Sequence, residues 1–140
     1  MKICTQALTG NNLNWAVATA LGGKIMIEPT GQIFVNLGEG YEYFTPESDD
    51  AQAGPIMDRF GIGTLYRSRT ACRPADWFAT ADDQDVQTSY EGGSFEPTFM
   101  VSASDGYYGP TRLIAAMRCF VGSKLGSVVD VPDELVAACA

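Results

Sequence analysis

Residues 109–126 constrain the fold more than any other stretch, because they read as one well-bounded helix. Pro110 suits the first helical position, where its missing N–H would have no partner anyway. Gly126 suits the residue just past the end, and Lys124 complements the negative C-terminal pole. Leu113, Ile114, Met117, Phe120, Val121 and Leu125 recur at helical spacing and form one broad apolar face. Ala115 and Ala116 leave room for a sheet to approach the flank. A helix this apolar must be buried, so the remaining elements are expected to pack around it.

Upstream, residues 2–5 form a short strand candidate, and Thr9 reads as the N-cap of a helix over Gly10–Leu21 that Gly22 and Gly23 stop. Residues 24–28 and 32–37 are rich in Ile, Val and Phe, with Pro29, Thr30 and Gly31 between them as turn chemistry, so they predict a hairpin. Tyr41, Glu42, Tyr43 and Phe44 alternate like another short strand. Residues 46–61 read as a loop feeding a short helix with Ser48 as candidate N-cap; residues 54–61 either continue it or, because Pro55 would bend the segment, start a second piece. Residues 62–68 and Asp76–Thr80 suggest a second hairpin, residues 81–96 an exposed acidic loop, and residues 98–103 a last strand. Asp105, Gly106, Tyr107 and Tyr108 are read as the turn into the main helix. Hairpins imply antiparallel pairing, and no βαβ rhythm appears. The expected fold is therefore α+β: one domain over residues 1–140, with a curved antiparallel sheet of about five or six strands and the two main helices on one face.

The chemistry excludes a good deal. With no histidine, Ser–His and Cys–His nucleophile pairs and imidazole metal ligands are absent. Cys4, Cys72, Cys119 and Cys139 are scattered without a C-x-x-C pair, which argues against zinc or disulfides and for reduced, mostly buried thiols. A net charge of -8 argues against nonspecific nucleic-acid binding, which needs Lys and Arg to displace counterions. No apolar run approaches the ~20 residues of a membrane span, and no signal-peptide pattern opens the chain, so a cytoplasmic location is expected. No cofactor, metal or catalytic residue is expected.

Three features could hold a ligand. The helix start at Pro110, Thr111 and Arg112 offers free N–H groups, a positive dipole end and a guanidinium fork, which together suit a phosphate. Arg59, Arg67, Arg69 and Arg73 concentrate four of the nine basic residues, as a local anion patch or as the polar outer face of two strands. Tyr107 and Tyr108 beside the helix start could stack a base, and Trp15 is either a half-buried edge residue or a second platform. A homodimer is expected to complete the core or the pocket of so small an aromatic-rich chain.

Several blocks stand in an order that resembles one family. They are residues 13–18 around Trp15, residues 43–46 leading to Ala53, Gly54, Pro55, Ile56 and Met57, and residues 109–118 followed by Lys124, Leu125 and Gly126. This order is similar to that of the NinX-like family of small bacteriophage proteins, of which the last block is the most specific mark. The family usually carries a Trp shortly before its Gly-Pro-Ile block, where this chain has Asp49, Asp50 and Ala51. The resemblance implies a phage or prophage accessory gene acting in the bacterial cytoplasm, and brings no activity and no catalytic residues. The function expected is that of a non-enzymatic accessory protein that sequesters a small anionic ligand, such as a nucleotide signal of host antiviral defence. The alternatives are an acidic inhibitor docking on a host protein and a metal-dependent nucleotide-cleaving enzyme.

Overall fold

The computed structural model describes residues 1–81, 87–90, 97–100 and 106–138. In chain order the elements are β1 (Lys2–Cys4), a single 3₁₀ turn (Thr5–Ala7), α1 (Gly10–Leu21), β2 (Lys24–Ile27), β3 (Ile33–Asn36) and β4 (Tyr41–Tyr43). Then come α2 (Asp50–Phe60), β5 (Gly63–Arg67), β6 (Asp76–Thr80), β7 (Gln87–Tyr90), β8 (Pro97–Met100), β9 (Tyr107–Gly109), α3 (Arg112–Leu125), β10 (Val128–Asp130) and α4 (Asp133–Ala138).

The helix that the sequence marks is the centre of the molecule. Met117, Cys119, Phe120 and Val121 of α3 are fully buried, with Leu113 and Ile114 nearly so. One side of α3 lies on β5, β6 and β9, and another meets α1 and α2. Helix α1 in turn covers β2 and β3 with Leu13, Ala16 and Val17. The fold is α+β and every strand pair is antiparallel.

The single curved sheet expected from sequence is instead divided into small sheets: β1 with β10, β2-β3-β4, β5-β6-β9, and β7 with β8. The two main helices accordingly do not share one sheet face. They pack on each other, and each covers a different sheet. The acidic loop expected over residues 81–96 contains β7, whose partner is β8. The rest of that loop and the end of the strand expected over residues 98–103 lie outside the described residues.

The turn expected at Tyr107 and Tyr108 is a strand. Phe78 pairs with Tyr108 and Ala79 with Tyr107 across β6 and β9. Two glycines let β9 lie close to its neighbours, Gly106 against β6 and Gly109 against α3. A Cβ on Gly106 would lie 2.1 Å from the Phe78 ring, and one on Gly109 would lie 2.6 Å from the Ala115 amide nitrogen. Helix α3 also starts later than expected. Its N-cap is Thr111, whose hydroxyl accepts from the Ile114 N–H, so Pro110 lies before the helix. Asp49 rather than Ser48 caps α2, accepting from the Ala51 N–H at 2.9 Å. The helix continues through Pro55 without breaking into two pieces. Cys4 and Cys72 are exposed, whereas Cys119 is buried.

Candidate functional site

A concavity lies between α2 and the inner face of the β2-β3-β4 sheet, with Leu21 of α1 in its lining. It encloses about 430 Å³, within the ~300–1,000 Å³ typical of small-molecule sites. Val35, Leu37 and Phe44 form most of the apolar sheet wall, while Pro55, Ile56 and Phe60 form most of the helix wall.

Local chemistry holds both walls in place. The tight β3–β4 turn is pinned by the Asn36 side-chain oxygen, which accepts from the Gly38 N–H at 2.8 Å and the Gly40 N–H at 3.2 Å. Both glycines have left-handed φ, 121° and 95°, a conformation that a side chain would resist. Opposite, Gln52 clamps the start of α2 to the end of β4. Its Oε1 accepts from the Thr45 N–H at 2.7 Å, and its Nε2 donates to the Tyr43 carbonyl at 2.6 Å. The separation of the walls is therefore set by directional bonds.

Three polar features interrupt the apolar lining. Glu42 pairs in register with Val35, which pairs with Ile25, so these residues share the inner face of the sheet. Strand alternation calls for an apolar residue at that position, yet the residue there, which lines the cleft, is a glutamate. Arg59 lies three and four residues beyond Ile56 and Pro55 and so shares their helix face. Its guanidinium stands 5.0 Å from the Phe60 ring centre, and among the described residues no carboxylate pairs with it. Finally, Pro55 has no N–H to give to the carbonyl of Ala51, four residues back, and both residues line the cleft. Glu39 adds a second carboxylate at the mouth.

Of the residues singled out from sequence, Arg59 of the arginine cluster lines this cleft and the others lie elsewhere. Arg112 is bound within the protein: it donates to the Asp50 carboxylate, and its other terminal nitrogen sits 3.8 Å from the Met57 sulfur. Thr111 caps its own helix, and Gly109 is buried, so the protein's own groups occupy much of that helix start. Tyr107 is half-buried beside α3, where a Cβ on Gly122 would lie 2.2 Å from its ring. Burial pushes its phenol pKa up.

The structure does bring Arg67 and Tyr108 together, with the guanidinium 4.0 Å above the ring. The same guanidinium forks onto Asp76 at 2.6 and 2.5 Å, and Arg73 reaches that carboxylate at 3.0 Å. The hydrogen bond from Arg67, foremost, holds the Asp76 carboxyl below its usual pKa. Arg69 is exposed just beyond β5, and Trp15 is half-buried against the core.

Sequence reading missed Glu42 as a site residue and counted Arg59 only within an arginine cluster. Two signals were available: a carboxylate at an alternating strand position, and a proline in the second turn of a helix. Among the described residues no three Cys, Asp or Glu side chains gather as a metal site. Among them, too, no helix is long and apolar enough to cross a membrane.

No curated protein matches the chain. A family model does, over residues 5–124, and its description is "Bacteriophage P22, NinX". That match spans most of the 140 residues, and the chain belongs to this bacteriophage family.

Proposed function

We propose that this protein is a non-enzymatic phage accessory protein that binds and sequesters a small host molecule in the cleft between α2 and the β2-β3-β4 sheet. The observation that carries the proposal is the cleft itself: walls tied together by Gln52, a largely apolar lining, and Glu42 and Arg59 with no ion-pair partner among the described residues. The lining offers no nucleophile beside a base, which favours holding a molecule over transforming it. A phage gains from such binding by withdrawing a host metabolite or defence signal from solution.

The cleft also narrows the expected ligand. A nucleotide polyphosphate would face Glu39 and Glu42 with Arg59 as its one cationic contact in the lining, so a ligand with fewer negative charges is the better match. Saturation-transfer NMR with indole as probe tests the site. The wild type should transfer signal to indole, and Ala51→Trp, which fills the cleft from α2, should abolish the transfer while melting normally. Equal transfer by both proteins would remove the cleft as a binding site.

A further inference from the structure

We infer that the cleft selects a zwitterion with an apolar body, in the chemical class of an α-amino acid carrying a large aliphatic or aromatic side chain. This inference rests on the cleft being a small-molecule site, and it names what that site takes.

Glu42 projects from the sheet wall and Arg59 from the helix wall of one cleft, and they form no ion pair with each other. Both side chains are exposed, so water meets each charge in the free protein, and a ligand carrying the two complementary charges can take its place. Gln52 ties the start of α2 to the end of β4 through its two backbone hydrogen bonds, which holds the two walls on one frame. A ligand that joins them needs a cationic donor at Glu42 and an anionic acceptor at Arg59.

The backbone adds to the donor-seeking side. The Ala51 carbonyl lacks the N–H that any residue except proline would supply at position 55. An ammonium group has three N–H donors, enough for a carboxylate and a carbonyl together. A carboxylate matches the planar fork of a guanidinium, which the stack on Phe60 helps to orient. The apolar surface of Val35, Phe44, Ile56 and Phe60 is left for the side chain of the ligand.

The charge balance excludes the half-molecules as equal ligands. A simple carboxylate would meet Arg59 but also Glu39 and Glu42, while a simple amine would leave Arg59 without a partner. The cleft thus rewards both charges on one small molecule.

Titration calorimetry on the whole protein tests this with L-phenylalanine, L-leucine, phenethylamine, 3-phenylpropionate and indole. L-Phenylalanine or L-leucine should bind at least about tenfold more tightly than either half-analogue, the scale of one charge-assisted hydrogen bond. Glu42→Gln should erase the preference over 3-phenylpropionate, and Arg59→Gln the preference over phenethylamine. Both side chains are exposed, so both variants are expected to fold, and their melting curves check this. If indole binds while the amino acids bind no better than the half-analogues, the zwitterion is wrong and the cleft stands. If nothing binds, including indole, both readings fall. Tight amino-acid binding that survives both substitutions would also overturn the assignment to these residues.

Discussion

Arg59 and Glu42 face one cleft from opposite walls, yet neither takes the other as an ion-pair partner. Residues kept for folding behave differently: Arg67 and Asp76, on the β5-β6-β9 sheet, close into a two-pronged pair. If Arg59 and Glu42 serve a ligand, stability should not depend on them. Arg59→Gln and Glu42→Gln should each change unfolding free energy by less than about 0.5 kcal/mol, the usual range for exposed sites. Urea titration measures this, and a larger loss in either variant would assign that residue to the fold.

The central helix should behave in the opposite way. Met117 and Phe120 are fully buried. Phe120 also stacks on Phe60 with ring centres 4.7 Å apart. Met117→Ala or Phe120→Ala should cost roughly 2–5 kcal/mol through lost burial and the cavity left behind. Chemical denaturation that shows a cost near zero would contradict the packing of α3.

Gly109 is a steric requirement. A methyl group there would lie 2.6 Å from the Ala115 nitrogen and 3.0 Å from an Ile114 methyl, with backbone that cannot swing aside. Gly109→Ala should destabilise by about 1–3 kcal/mol, the usual cost of overpacking. A rise in melting temperature would show that β9 and α3 are not so closely seated.

Asp76 gives the fold an acid-sensitive element. The Arg67 hydrogen bond lowers its folded-state pKa, so the carboxylate adds stability above its unfolded pKa of about 3.9 and loses it as pH falls through the folded value. Asp76→Asn should therefore be less stable than wild type at neutral pH, and the gap should close in acid below about pH 4. A gap that stays constant from pH 7 to pH 2 would contradict this pairing.

Arg112 was the most attractive ligand residue in the sequence, and its case shows where sequence reading stops. At a helix start with an arginine, any carboxylate that reaches it within the chain competes with an anionic ligand. Asp50 reaches it from 62 positions away, a contact that no local pattern announces. The α3 helix itself was legible because its apolar spacing, its Gly end and its Lys are all local. The β9 strand was not, because three residues at a glycine-flanked aromatic pair look like a turn until β6 is placed beside them. The division into several sheets was hidden for the same reason: pairing partners are set by packing around α3 and α1. Glu42 was on view in an alternating strand, but its meaning depends on α2 standing across the cleft.

The most direct measurement of the central claim is mass spectrometry of what the protein carries. Wild-type protein and Ala51→Trp, matched in melting curve, would be purified in parallel from bacterial cells and denatured, and their released small molecules compared. The account predicts a small molecule recovered in near-stoichiometric amount from the wild type and absent from Ala51→Trp. The same released molecules from both proteins, or none from either, would contradict it.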